Sequence, residues 1–276
     1  MQNEQENVVL LLVGSQFCAK VLCALDACKV PYRVRYLEVA EMKQALQPPH
    51  TVPQMQLGGE YLVDSAAIMR KIDKISENSE VTLIPKGEKG QEVADLEAWI
   101  GRELNAYVLY FTYWVEEGFL ASYHRKMVER MPWWMPTPVA TLMLPYFLPV
   151  GRIRGSMRKR ARAILGEDLI CPGRWPKPDE EEKMREALIN MMQMLDSKFK
   201  SDDQEWICAT PSPSAADFSL QGVLGRLVTE LGDADMGIAT PWLWEACFGS
   251  GAGASRLQQW SERINSRFPI RFMNKD

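Results

Sequence analysis

Histidine and paired cysteines are scarce in this chain of 276 residues. The two histidines are His50 and His124, and no two of the six cysteines form a C-x-x-C pair. This leaves little material for a histidine-rich or cysteine-pair site, so no bound metal is expected. Six cysteines without a regular framework, in a chain of this length, indicate free thiols in a reducing compartment. The sequence therefore predicts a cytoplasmic protein.

An excess of positive charge is also missing. The chain has 32 Lys and Arg against 36 Asp and Glu, a net charge of -4, so nothing in its bulk electrostatics predicts nucleic-acid binding. Residues 1–7 carry two acids and no basic residue, so no secretory or organellar presequence is expected. With 46% apolar and 25% charged residues, the composition is typical of a folded globular protein of one or two domains.

The N-terminal part has the pattern β-α-β followed by β-β-α. A continuous apolar run is typical of a strand buried on both faces, and two glycines between short strand-like runs predict a tight antiparallel hairpin. The predicted elements are, in order, a strand at 8–13, a helix ending at Pro31, a strand at 32–36, a hairpin at 54–63 and a helix opening at Asp64-Ser65. The first two strands should be parallel, because a right-handed crossover joins them.

From Glu92 onward the pattern is purely helical, with apolar residues recurring every three or four positions. Such stripes predict amphipathic helices that pack on one another. The change of pattern falls at 85–90, whose sequence Pro-Lys-Gly-Glu-Lys-Gly is typical of a linker. We therefore predict an α/β domain at 1–80, a linker at 81–90 and an all-helical domain at 91–276.

Several motifs resemble those of the glutathione transferases, which have this domain order. The turn Ser15-Gln16-Phe17-Cys18 lies where glutaredoxins and the membrane-associated type 2 prostaglandin E synthases have Cys-Pro-x-Cys or a similar turn. Val52-Pro53 is similar to the Val-Pro before the third strand, whose proline is cis in the family. Asp64-Ser65 resembles the pair that opens the third helix, and 214–217 resembles the capping motif of the helical domain. The resemblance implies a thioredoxin-like N-terminal domain and an all-α transferase-type C-terminal domain.

The resemblance also implies a site for glutathione as co-substrate, together with a small hydrophobic electrophile. The glutathione-binding residues that it implies are Phe17, Val52, Pro53, Asp64 and Ser65. In the family, the residue at Val52 pairs through its backbone with the cysteinyl part of glutathione. The start of the helix at Ser65 faces the γ-glutamyl carboxylate, and a helix N-terminus favours such an anion.

Two catalytic candidates lie in the first turn. A thiolate is stabilised at a helix N-terminus, so the Ser15 hydroxyl could donate a hydrogen bond to bound glutathione, as in the serine classes of the family. The alternative is that Ser15 simply caps the helix. Cys18 is either a reactive thiol or a packing residue at the helix start. Because Ser15 replaces the first redox cysteine, conjugation or glutathione-assisted isomerisation is favoured over dithiol reduction.

An uncharged stretch at 131–151 precedes a basic cluster that ends at Arg162. Its five prolines are unfavourable for a straight spanning helix, whereas Trp133-Trp134 and the basic cluster are typical of an interfacial anchor. An insertion packed on the protein, peripheral membrane contact through 131–162 and a membrane span all remain open. The alternative to an enzyme is a non-catalytic transferase-like interaction module. A homodimer is a further expectation.

Overall fold

The sheet of the N-terminal part has four strands in the order β2-β1-β3-β4. The structure is a computed structural model that describes residues 7–12, 14–37, 41–78, 80–113, 150–166, 177–227, 242 and 255–272. The strands are β1 (Val8–Leu11), β2 (Arg33–Tyr36), β3 (Gln54–Leu57) and β4 (Glu60–Leu62). Strand β1 pairs in parallel with β2 and antiparallel with β3, and β3 pairs antiparallel with β4. The predicted β-α-β/β-β-α order is confirmed.

The remaining described elements are helical. The sheet domain contains α1 (Gln16–Ala27), α2 (Met42–Ala45) and α3 (Ser65–Ile75). The helical part contains α4 (Glu88–Trp99), a π-helical segment (Ile100–Leu104), α5 (Asn105–Tyr113), α6 (Val150–Leu165), α7 (Pro178–Asp196), α8 (Ala215–Leu227) and α9 (Arg256–Arg267). None of the helices within the described ranges is both long enough and apolar enough to cross a membrane. The predicted two-part fold class is confirmed, while the exact domain boundaries stay a prediction.

Strand β1 is covered on both faces, which explains its continuous apolar run. Val9 and Leu11 are fully buried in the main core between the sheet and the helices. Leu10 points to the opposite face, where it packs in a smaller cluster with Leu37 and Leu46. Burial of one such side chain contributes about 1.5–3 kcal/mol, so β1 anchors the turn that follows it.

Helix α1 lies between the two parts of the molecule and packs extensively on α8. Gly222 of α8 allows this approach, because a Cβ at that position would lie 2.5 Å from the carbonyl oxygen of Gln16. Gln16 and Lys20 are both buried, although polar residues on a helix are usually exposed. The helical domain covers the face of α1 that the sheet leaves open, so nearly the whole helix is removed from water.

The segment that joins the two parts is hydrogen-bonded to both. The Leu83 N–H donates to Oδ1 of Asp73 in α3 at 2.7 Å, and the Leu83 carbonyl accepts from the N–H of Ala215 in α8 at 2.9 Å. The Leu83 side chain is fully buried. Helix α4 begins at Glu88, so the last residues of the predicted linker 81–90 are helical. The rest of that segment is docked on the domains it connects.

The predicted capping motif at the start of α8 is part of a larger buried network. Oδ2 of Asp217 accepts hydrogen bonds from the Ser214 N–H at 2.8 Å and from the Ser214 hydroxyl at 2.7 Å. Oδ1 accepts from the Ile207 N–H at 3.0 Å and from Nε1 of Trp260 at 2.8 Å. A buried carboxylate needs such partners. Asp217 therefore caps α8 and also joins the start of α8 to α9.

Candidate functional site

The chain order of the sheet brings three of the predicted site segments to one end of it. Leu10 of β1 lies opposite Gln54 of β3, so the turn after β1 and the segment before β3 are neighbours. Leu62 of β4 lies opposite Met55 of β3, so the residues that follow β4 reach the same end. The Ser15 turn, Val52-Pro53 and Asp64-Ser65 therefore meet where a ligand could contact all three.

Ser15 is the residue before α1, but its hydroxyl does not cap the helix. Its backbone is extended, with φ -84 and ψ 120, and its side chain makes no capping hydrogen bond. The Ser15 carbonyl accepts from the N–H groups of Cys18 at 3.0 Å and Ala19 at 2.9 Å, which starts the helix. The side chain is half-buried. The hydroxyl thus lies at the positive end of α1 without satisfying the helix's own N–H groups.

Cys18 lies one turn further on and is fully buried. Burial raises the pKa of the Cys18 thiol to about 11, and a hydrogen bond with the Ser15 side chain opposes that shift without cancelling it. A thiol with this pKa is neutral at physiological pH, and the thiolate is the reactive form. Cys23 and Cys28 are free thiols, as expected, and are buried as well.

Phe17 is held between the two parts of the molecule. Its ring lies 3.9 Å from the place that a Cβ of Gly101 would occupy, so it packs against the π-helical segment. The ammonium of Lys20 lies 5.9 Å from the centre of the ring. The backbone of Phe17, in the first turn of α1, is consequently fixed beside Ser15.

The peptide bond between Val52 and Pro53 is cis, as the resemblance implied. The loop before it is held by Gln54, which is fully buried. Oε1 of Gln54 accepts from the Gln47 N–H at 2.9 Å and from the Tyr61 hydroxyl at 2.7 Å, and Nε2 donates to the Gln47 carbonyl at 2.7 Å. Sequence reasoning missed Gln54, because the alternation Gln-Met-Gln-Leu in β3 is typical of a strand whose polar side chains are exposed.

Asp64 and Ser65 open α3, as predicted. The Asp64 carboxylate accepts from the N–H groups of Ala66 and Ala67, both at 3.1 Å, so Asp64 is the N-cap residue. Ser65 occupies the first helical position and is 8% exposed. The two side chains therefore differ in role: the Asp64 carboxylate caps α3, while the Ser65 side chain lies buried in the first turn of that helix.

The helical domain supplies further groups at the Ser15 turn that the sequence did not predict. Nε2 of Gln16 donates a short hydrogen bond to Oδ1 of Asn105 in α5. Nη1 of Arg226, in the last turn of α8, donates a short hydrogen bond to the carbonyl of Gly14. The first turn of α1 is thus fixed from the side of the helical domain as well as by the sheet.

The aromatic residues at 107–114 are candidates for the lining of an electrophile cleft, but Tyr107 and Tyr110 are core residues. Tyr110 is fully buried, and its hydroxyl donates to Oε1 of Glu180 at 3.3 Å. Tyr107 is 4% exposed. Trp114 lies outside the described residues, as does 131–149. A groove of about 600 Å³ between α4 and α7, with Trp99 and Met194 in its lining, includes none of the predicted site residues.

Comparison with known proteins agrees with this geometry. Residues 12–80 match the family model of the glutathione S-transferase N-terminal domain. The beta-etherase LigF from Sphingobium sp. strain SYK-6 superposes with a TM-score of 0.58 at 14% identity, with coverage of 96% of this chain and 97% of that one. A glutathione S-transferase from Rhodospirillum rubrum F11 gives 0.57 at 15% identity, covering 96% and 90% of the two chains.

A glutathione transferase homologue from Drosophila mojavensis, solved with bound glutathione, has a TM-score of 0.52 at 16% identity, with 94% of this chain and 87% of that one covered. No curated protein matches the sequence significantly. Residues 12–80 thus resemble the glutathione S-transferase N-terminal domain, and the chain as a whole shares the fold of these structures, with a thioredoxin-like domain at the N-terminus and a helical domain behind it. The more specific likeness of its turn to the prostaglandin E synthases stays a prediction.

Proposed function

We propose that this protein binds glutathione at the end of the sheet and activates its thiolate for attack on a small apolar electrophile, by conjugation or glutathione-assisted isomerisation. The Ser15 hydroxyl donates a hydrogen bond to the glutathione sulfur. Phe17 and the backbone of Val52-Pro53 hold the cysteinyl part. The γ-glutamyl carboxylate lies at the start of α3, beside Ser65, and Asp64 accepts from the γ-glutamyl ammonium.

The observation that carries the proposal is that the Ser15 hydroxyl does not cap α1. An ordinary capping serine accepts from the second or third N–H group of its helix, whereas Ser15 makes no such bond. Its hydroxyl lies at the positive end of α1 and at the end of the sheet that Val52-Pro53 and Ser65 also reach. A donor in that position stabilises a sulfur anion, since both the hydrogen bond and the helix dipole favour negative charge.

The buried state of Cys18 supports Ser15 rather than Cys18 as the working residue. A fully buried thiol with a pKa of about 11 is neither exposed to a substrate nor ionised at neutral pH. In this proposal the neutral Cys18 thiol donates to the Ser15 oxygen, which leaves the single hydroxyl proton of Ser15 for the glutathione sulfur. Cys18 is therefore a positioning residue in this proposal.

The proposal is tested with Ser15→Ala and Cys18→Ser in the full chain. A thermal shift on titration with glutathione measures binding, and conjugation of a chlorodinitrobenzene measures turnover. Ser15→Ala should lower kcat by about a hundredfold with little change in glutathione affinity, because its hydroxyl acts on the ionised sulfur alone. Cys18→Ser should keep most of the turnover.

The opposite pattern, with turnover intact in Ser15→Ala and abolished in folded Cys18→Ser, contradicts the assignment and makes Cys18 the working thiol. If the unaltered protein consumes no electrophile, and neither substitution changes its binding of glutathione, the non-catalytic interaction module is favoured. Liposome co-sedimentation tests the predicted membrane contact through 131–162, and sedimentation equilibrium tests the predicted homodimer.

A further inference from the structure

One side chain of the helical domain reaches the turn that carries Ser15. Arg226 lies in the last turn of α8, and its Nη1 donates to the Gly14 carbonyl, which belongs to the peptide unit directly before Ser15. Covalent geometry then puts this nitrogen within about 5 Å of the Ser15 backbone nitrogen.

The packing of α8 on α1 fixes the position from which the Arg226 side chain contacts the Gly14 carbonyl. Gly222 and Arg226 are one helical turn apart on α8, so they lie on the same face. Gly222 brings the α8 backbone against the Gln16 carbonyl, where a Cβ would lie only 2.5 Å away. Arg226 extends from the same face to the Gly14 carbonyl. Two successive turns of α8 thus contact the carbonyl groups of the two residues that flank Ser15, Gly14 and Gln16.

The guanidinium of Arg226 also has a donor that its surroundings leave unused. Nε of Arg226 is shielded from solvent and has no hydrogen-bond partner among the described residues. A shielded positive charge with an unused donor is unfavourable, and an anion in the adjoining site offsets part of that cost through space, without contacting Nε. The anion that the proposed function places at this turn is the glutathione thiolate.

We infer that Arg226 is a positioning residue that holds the Ser15 turn through the Gly14 carbonyl and lowers the pKa of the bound glutathione thiol by its positive charge. This inference rests on the proposed function, since it needs glutathione in the site. An arginine suits the role because its charge persists at every pH at which the thiol titrates, and because one donor can hold the carbonyl while the charge acts on the sulfur. The charge favours the thiolate over the thiol, as any opposite charge at short range does.

The test is the titration of glutathione bound to the full-length protein, followed by the ultraviolet absorbance of the thiolate across pH. Arg226→Gln should raise the pKa of the bound thiol by about one unit, which is a tenfold loss of thiolate at neutral pH. The pH profile of kcat/KM should move by the same amount, so that activity recovers under alkaline conditions. Arg226→Lys should restore much of the lower pKa, because it keeps the charge.

Arg267→Gln is the matched control, since this arginine forms a half-exposed ion pair with Glu205 at 3.0 Å and should leave the titration unchanged. If Arg226→Gln folds poorly, Arg226→Met is the second neutral variant, because it retains an apolar stem in the interface. A neutral variant that binds glutathione with an unaltered thiol titration overturns the inference about Arg226 alone. Absence of any thiolate in the unaltered protein overturns the proposed function and this inference together.

Discussion

The ammonium nitrogen of Lys20 in α1 lies 2.8 Å from Oε1 of Glu97 in α4, and each side chain is only 5% exposed. This ion pair joins the helix of the proposed glutathione site to the helical domain. Two charges removed from water in this way depend on each other, because either one alone would remain buried without compensation.

Glu97→Ala should therefore lower the free energy of unfolding by about 3–5 kcal/mol, since it leaves the buried Lys20 ammonium without a counter-ion. Urea unfolding followed by circular dichroism measures the loss. Glu92→Ala is the control: Glu92 pairs with Lys89 at 2.6 Å, but their side chains are 47% and 42% exposed. Exposed pairs contribute about 1 kcal/mol or less. Equal losses in the free energy of unfolding for the two variants would contradict the burial of the Lys20–Glu97 pair.

Gly222→Ala should destabilise the protein by about 1–3 kcal/mol, because the new Cβ would meet the backbone of Gln16 rather than a flexible side chain. It should also weaken glutathione binding, as α1 must shift. Gly155→Ala in α6 is the matched control, since nothing lies within 4 Å of its added Cβ. That variant should gain up to about 1 kcal/mol from helix propensity. Thermal unfolding of both variants measures the two changes in stability.

The thiol of Cys18 should resist alkylation in the folded protein. Burial raises its pKa to about 11, so at pH 7 only about one molecule in ten thousand carries the thiolate. Because deprotonation increases with pH, labelling should become appreciable only under strongly alkaline conditions. Iodoacetamide labelling mapped by peptide mass spectrometry measures this, with urea-denatured protein as the reference. Ser15→Cys should add a site that is labelled at neutral pH, because it lies half-buried at a helix N-terminus. Rapid labelling of native Cys18 at pH 7 would mean that the helix start is open.

Ser65→Ala should weaken glutathione binding by about tenfold to a hundredfold, the effect of losing one hydrogen bond to a charged group. Helix α3 should be unaffected, since Asp64 makes both capping bonds. Asp64→Ala is the complementary variant: it should lower the free energy of unfolding by about 1 kcal/mol, and it should also weaken glutathione binding, because Asp64 is proposed to accept from the γ-glutamyl ammonium. Isothermal titration calorimetry and urea unfolding separate the two effects. An unchanged affinity in Ser65→Ala would show that glutathione does not contact this hydroxyl.

The thioredoxin-like half could be predicted because its signals are local. The apolar run of β1, the glycines of the hairpin and the Asp64-Ser65 pair each act within a few residues, and the structure has the predicted element at each place. The Ser15 turn is predicted as a site by its resemblance to the active-site turn of the glutathione transferases and glutaredoxins. Even so, periodicity could not show that the Ser15 hydroxyl leaves the helix N–H groups uncapped.

The contacts between the two halves could not be predicted, because they join polar residues far apart in the chain. On its own helix, each of Lys20 and Glu97 has the sequence pattern of an exposed residue, and only the packing of both helices on α8 brings them together and buries them. Arg226 likewise lies in a basic last turn, where an exposed arginine is common. A single sequence carries no signal that pairs it with the Gly14 carbonyl 212 positions earlier.

The contacts of Leu83 with both halves of the molecule affect how the protein unfolds. A segment bonded through its N–H to α3 and through its carbonyl to the start of α8 belongs to the folded state of both halves. Neither half can melt without breaking one of these bonds and exposing the buried Leu83 side chain. Heating should therefore produce one cooperative transition in the calorimeter rather than two, and the protein should behave as a single unfolding unit.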